Sequence, residues 1–194
     1  MPTLTVILGS TRPGRAGQPI AEWFIERARA HGGFDVEVAD LAEIGLPLLD
    51  EPNHPRLEQY TKQHTKDWSA IIDRADAVVF VTPEYNYGYP ATIKNAIDFL
   101  HREWRDKPVG FVSYGGVAAG TRAVQQLKQV VTTLRMVPVF DSVNIPFHAQ
   151  LIKDGTFEAN DLLNQAADTM LDELVRLETA LHPLRTPAAA AQPA

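Results

Sequence analysis

Residues 4–20 read LTVILGSTRPGRAGQPI. Leu4–Leu8 is a short apolar run rich in β-branched residues, which predicts a buried strand. Gly9 ends it, and a polar loop follows with Ser10, Thr11, Arg12, Gly14, Arg15 and Gly17. Ile20, Ala21, Phe24, Ile25 and Ala28 then fall on one face of a helix. A strand, a loop of small and hydroxyl residues and a helix N-terminus together form an anion site. The loop amides and first-turn N–H groups converge there, and the helix dipole favours negative charge. Ser10 and Thr11 add hydroxyl donors, and Arg12 adds a fork able to grip a phosphate. No Gly-Lys-Ser/Thr follows, so the loop is not a Walker P-loop. G-x-G-x-x-G is also absent, so no dinucleotide fingerprint is present. The competing reading is an ordinary strand-to-helix turn with surface charges.

Further along, AVVFVT at 77–82 and PVGFVSY at 108–114 are nearly all apolar, as expected of central parallel strands covered on both faces. A less buried strand is predicted over 34–40 and a fifth over 137–143, whose Pro138 suits an edge. Helical periodicity is read over 56–75, from about 91 to Trp104, over 119–134 and over 158–181. Five strands alternating with five helices imply an α/β protein with a parallel sheet and right-handed crossovers. In a five-stranded sheet of order 2-1-3-4-5 the loops after strands 1, 3 and 4 are neighbours and meet at the switch point where ligands bind.

The second of those loops, Pro83-Glu84-Tyr85-Asn86-Tyr87-Gly88-Tyr89, offers aromatic surface with amide and carboxylate groups. The third begins Ser113-Tyr114-Gly115-Gly116 and allows close backbone approach. A phosphate at one end and a flat, edge-hydrogen-bonding ring at the other fit a flavin mononucleotide. Local packing of the tyrosines is the plainer alternative.

The 194 residues fit one domain over 1–182, followed by an Ala/Pro-rich tail, 183–194, expected to be disordered. A net charge of −6 argues against non-specific nucleic-acid binding. No cysteine is present, which removes disulfides, thiolate metal sites and a cysteine nucleophile. None of the six histidines pairs at metal-ligand spacing, so no metal is expected. No apolar run reaches membrane-spanning length and no signal core is visible, so a cytoplasmic protein without membrane association is expected.

GSTRPGR after the first strand, PEYNYGYPATIKNAIDFL after the third and SYGG after the fourth resemble the NADPH-dependent FMN reductase family. The resemblance implies a flavodoxin-like three-layer α/β sandwich with a five-stranded parallel sheet in the order 2-1-3-4-5, and the family includes quinone, azo-dye and chromate reductases. The resemblance spans roughly residues 3–180, and the PEYN…KNAID block is its most specific part. It implies FMN phosphate contacts from Ser10, Arg12, Gln18 and Ile20. It implies ring contacts from Pro83, Glu84, Tyr85 and Asn86, and from Ser113, Gly115 and Gly116. Many members carry a serine or threonine a few residues after the arginine. Here Arg15-Ala16-Gly17-Gln18 stands instead, which leaves open the group that completes the phosphate site. The expected activity is hydride transfer from NADPH or NADH through FMN to a flavin, a quinone or a similar small-molecule acceptor, with no protein side chain as an obligatory catalyst. A flavodoxin-type electron carrier and a flavin-binding redox sensor are the rival readings. The resemblance also implies a homodimer or tetramer, with the helix after PEYN at the interface; Tyr87, Tyr89, Phe99 and Trp104 offer aromatic surface of the kind enriched in interface cores.

Overall fold

The computed structural model describes residues 1–185. The elements run β1 (Thr3–Leu8), α1 (Gly17–His31), β2 (Asp35–Asp40), α2 (Leu41–Ile44), α3 (Gln63–Arg74), β3 (Ala77–Pro83), α4 (Ala91–Asp98), β4 (Pro108–Tyr114), α5 (Thr121–Thr133), β5 (Val137–Pro138), β6 (Val143–Ile145), a small hairpin of β7 (Ile152–Lys153) and β8 (Thr156–Phe157), and α6 (Asp161–Arg185). The main sheet is parallel in the order β2-β1-β3-β4-β5, and β6 also pairs with β4.

Every residue of β3 and β4 is buried, because helices cover both faces of the sheet. Alternation sorts the side chains by face. Leu4, Val6, Leu8, Val79, Val81 and Val112 pack against α1 and α6. Ile7, Val78, Phe80, Val109 and Phe111 pack against α3, α4 and α5. Phe80 and Phe111 stack at 6.3 Å on that second face.

Three sequence expectations change. The fifth strand is broken: β5 and β6 both pair with β4, and Val139–Ser142 leave the ladder between them. Pro138 has no N–H to donate, Val139 N–H still reaches the Val109 carbonyl at 3.0 Å, and Phe140 then turns out to solvent. The helix read over 56–75 begins only at Gln63. Glu51 accepts from the amides of Thr61 and Lys62 and holds the preceding stretch as a loop. The helix after the second loop stops at Asp98, and Arg102–Trp104 form a separate 3-10 turn. Phe99 and Trp104 are fully buried in the chain's own core, so neither supplies surface for a partner. Trp104 instead packs against Trp68 at 6.0 Å and donates its indole N–H to Ile97.

α6 runs past Pro183 to Arg185. Pro183 removes one helical hydrogen bond. Arg185 secures the last turn by donating to Asp76 at 2.9 Å and Glu178 at 2.8 Å, and to the carbonyls of Asp76 and Asp106. Residues 183–185 are therefore helical, and the rest of the tail expected to be disordered lies outside the described residues. No described helix is long and apolar enough to cross a membrane.

Lys107 lies beneath this end of the sheet, 4% exposed, and its ammonium donates to the carbonyls of Ile72 and Asp73 at the end of α3. Burial pushes its pKa down to about 8 from an ordinary 10.5. Between those values the unfolded chain carries a proton that the folded chain has released, so stability rises with pH across this window. Unfolding in urea at pH 9.5 should show about 1–2 kcal/mol more stability than at pH 7.5, from a shift of this size. Lys107→Met should flatten that rise. No pH dependence in the parent between these values would show that the amine is not desolvated.

Candidate functional site

The parallel order brings the C-terminal ends of β1, β3 and β4 side by side. The loops that follow, the strand ends at Pro83 and Ser113 and the first turn of α1 with Gln18 and Ile20 together carry every sequence-predicted site residue, so the topology gathers those residues at one edge.

The first loop is pinned at both ends. Gly9 N–H donates to Val81 at 3.0 Å, and a Cβ at Gly9 would lie 2.3 Å from the Ile93 side chain. This close approach to α4 requires glycine. At the other end Arg15 donates to the Ser10 carbonyl at 2.6 Å and forks onto both oxygens of Asp40 at the end of β2. The pair is largely buried, and Asp40, first by hydrogen bond, raises the Arg15 pKa. Asp40 also caps α2 through the Ala42 amide at 2.9 Å. Arg15 is therefore committed to structure, while Arg12 stands exposed with no carboxylate partner among the described residues.

The amides of Ser10, Thr11, Arg12 and Gly14 find no protein acceptor among the described residues. The N-cap of α1, Ala16, makes no side-chain capping bond, and its first turn holds no acidic residue. Uncapped helix donors beside unpaired loop amides suit an anion such as the FMN phosphate. Ser10 is 2% exposed, and its Oγ shares a hydrogen bond with the Tyr85 hydroxyl at 2.7 Å. Gln18 turns along the helix and donates to Glu22 at 3.1 Å. Ile20 is fully buried, so its side chain offers the site nothing polar, and its main-chain N–H lies where the helical i→i−4 ladder begins.

The second loop is a tight turn in which Tyr85 and Gly88 exchange backbone hydrogen bonds at 2.9 and 3.0 Å. Both residues at its tip have positive φ, Asn86 at 50° and Tyr87 at 72°. Asparagine tolerates that conformation and tyrosine does so poorly. Side chains from α5 hold the turn. Glu84, whose side chain is 7% exposed, accepts from the Arg122 amide at 3.1 Å and pairs with its guanidinium. That guanidinium lies over the Tyr87 ring, 3.7 Å from its centroid, and Gln126 donates to the Tyr87 carbonyl at 3.0 Å. Tyr85, Asn86 and Tyr87 remain exposed, whereas Pro83 is buried at the strand end.

In the third loop the Ser113 hydroxyl donates to Asn144 at 3.0 Å, toward β6. Gly115 has Gly120 N 3.1 Å from a would-be Cβ, so any side chain there crowds the loop. Gly116 faces open space. His148 Nδ1–H donates to the Gly115 carbonyl at 2.9 Å, and its ring meets Tyr114 edge-on at 5.2 Å.

Sequence reasoning missed Asp40, Arg122 and His148. Asp40 was the accessible one: in a 2-1-3 order the last residue of β2 must lie beside the loop after β1. Residues that could ligate a metal gather elsewhere: Asp76, Glu178 and His182 come within 4.8 Å of one another, but Arg185 lies between the two carboxylates.

A sequence model of the family described as NADPH-dependent FMN reductase matches residues 2–150, from β1 through the segment that carries His148. A NAD(P)H-dependent FMN reductase of Schizosaccharomyces pombe is 44% identical over 149 residues, covering 75% of this chain and 74% of its own. A NAD(P)H-dependent FMN reductase of a Nectria species is 37% identical over 158 residues, covering 77% of each chain. The structure of the flavoenzyme NAD(P)H:(acceptor) oxidoreductase FerB of Paracoccus denitrificans shares the fold with a TM-score of 0.76 at 24% identity, over 93% of this chain and 99% of that one. With the family match spanning all three loops and the flavodoxin-like sheet that presents them, the chain belongs to the NADPH-dependent FMN reductase family, as an FMN-dependent oxidoreductase that uses NAD(P)H.

Proposed function

We propose that this enzyme takes hydride from NADPH or NADH onto FMN held at the three-loop edge, and passes the electrons to small acceptors such as free flavins and quinones in ping-pong turnover. The observation that carries this reading is the set of unpaired loop amides and uncapped helix donors at α1, directly beside an exposed Tyr85–Asn86 turn. Bound FMN supplies the redox chemistry, and the protein supplies binding, orientation and electrostatics.

Ser10, Arg12, Gln18 and Ile20 are assigned to the phosphate, with the free N–H of Gln18 in the first turn of α1 as its main-chain donor. Pro83, Glu84, Tyr85, Asn86, Ser113, Gly115 and Gly116 are assigned to the ring environment, Glu84 by ordering the loop through Arg122. Positioning is then the protein's main contribution, and no side chain need act as acid or base. Initial-rate plots at several acceptor concentrations should be parallel, and an intersecting pattern would overturn the ping-pong order.

The two loop arginines should separate cleanly. Arg12→Ala should weaken FMN binding by about 1.5–3 kcal/mol, the range for hydrogen bonds to charged groups, with an almost unchanged melting temperature. Arg15→Ala should instead destabilise the fold by about 3–5 kcal/mol, because Asp40 is left buried and unpaired. Equal effects of both on FMN affinity and stability would contradict the assignment.

We also propose a homodimer, or a pair of dimers, in the cytoplasm, where NAD(P)H is available. A groove of about 500 Å³ runs along α4 and α5, with Leu49, Val130 and Leu134 as its accessible apolar residues and Lys94 and Asp98 of α4 at its edge. Leu48 and Leu57 are exposed nearby in sequence. Apolar surface of this kind, rimmed by the charges of α4, suits a second copy of the chain. Light scattering at micromolar concentration should give at least twice the mass of one chain, and a monomeric mass would refute this.

A further inference from the structure

Gly17, the first residue of α1, does not owe its identity to backbone conformation, because its φ lies outside the left-handed region. It owes it to Tyr114. A Cβ at position 17 would lie 2.5 Å from the Tyr114 hydroxyl oxygen, 3.3 Å from Cζ and 3.7 Å from Cε1. The ring alone would nearly tolerate an alanine, and the hydroxyl forbids it. Tyr114 ends β4, is 3% exposed and reaches across the sheet edge to the start of α1. Among the described residues the Tyr114 hydroxyl makes no hydrogen bond of its own, while the Ser10 Oγ on the neighbouring loop is shared with Tyr85 at 2.7 Å. Three hydroxyls, one from each of three neighbouring strand ends, therefore gather at a helix N-terminus that carries no cap of its own.

Burial raises the Tyr114 pKa, so the phenol stays a neutral O–H donor across the physiological range. A pure packing role would be filled as well by phenylalanine, whose ring would make the same edge contact with His148. The hydroxyl adds a donor, and it imposes a glycine that brings the helix end close to it.

We propose that Tyr114 is a specificity-determining residue of the flavin site. Its hydroxyl, set against Gly17 and Ser10, donates to the anionic group held at the N-terminus of α1 and favours phosphorylated flavin over riboflavin. This rests on the assignment of the FMN phosphate to the first loop, and it names a group that completes the phosphate site where Arg15-Ala16-Gly17-Gln18 follow Arg12.

The test uses the purified protein, stripped of flavin and titrated separately with FMN and with riboflavin. Tyr114→Phe should raise the Kd for FMN roughly 10- to 100-fold, the loss expected for one hydrogen bond to a charged group. The riboflavin Kd should stay within about twofold, since neutral contacts change little with one hydroxyl. The phosphorus resonance of bound FMN should also shift. Gly17→Ala should weaken FMN binding in the parent, yet add little in the Tyr114→Phe background, because the clashing oxygen is gone. An unchanged FMN Kd in Tyr114→Phe, or an equal loss for riboflavin, would reduce the residue to packing and overturn the proposal. No FMN binding by the parent would sink the flavin reading itself, whereas normal parent binding with an indifferent Tyr114→Phe sinks this inference alone.

Discussion

The pair formed by Arg15 and Asp40 sets the shape on which the proposed site depends. Both side chains are largely buried, at 12% and 10% exposure. Taking two charges out of water is costly unless geometry and further hydrogen bonds compensate. Here the guanidinium forks onto both carboxylate oxygens and also reaches the Ser10 carbonyl, and the carboxylate caps α2. Ser10 is thereby fixed by its own backbone, and the loop between β1 and α1 cannot collapse onto its amides. The charge of Arg15 is consumed in doing this, which separates its role from that of Arg12 three residues earlier.

The second loop follows the same logic by different means. Positive φ at Asn86 and Tyr87 costs conformational energy, more at tyrosine than at asparagine. Such a turn persists only if its surroundings over-determine it. The Arg122 guanidinium over the Tyr87 ring and the Gln126 amide, both from α5, provide that constraint, and Glu84 of the loop answers Arg122. Since α5 begins at the end of the third loop, loops two and three are braced as one unit. The shared hydrogen bond between Ser10 and Tyr85 then joins that unit to loop one.

The sheet was legible because β3 and β4 are continuous apolar runs and β1 opens into a glycine-containing loop. Those features mark a parallel sheet with three ligand-ready loops; the 2-1-3-4-5 order that makes the loops meet comes with the flavodoxin-like resemblance, and the structure has it. The break between β5 and β6 was not legible, since Pro138 suits an edge strand and equally suits its interruption. Phe99 and Trp104 were misplaced because helical periodicity was carried past Asp98, where the chain turns and sends both rings into the core. In the site, the loop residues could be read one by one, but their couplings could not. Arg15 meets Asp40 across 25 positions, Arg122 meets Glu84 across 38, and Tyr85 meets Ser10 across 75. Contacts of that separation are fixed by register and strand order, which no local pattern carries.

These couplings have an electrostatic consequence. Asp40 neutralises Arg15 and Glu84 neutralises Arg122, so the cations nearest the loops are largely spent. A flavin phosphate brings about −1.5 to −2 charges near pH 7. Arg12 is the remaining unpaired cation on the first loop among the described residues, and it is solvent-exposed, where its attraction is screened. Most of the stabilisation must then come from fixed dipoles: the loop amides, the α1 terminus and the clustered hydroxyls. Such groups are already oriented by the Arg15–Asp40 tether and by Gly9, so little ordering entropy is lost when they bind. A site built this way recognises the phosphate by geometry more than by net charge. That is consistent with a chain whose overall charge is −6 yet which belongs to a family that uses an anionic flavin.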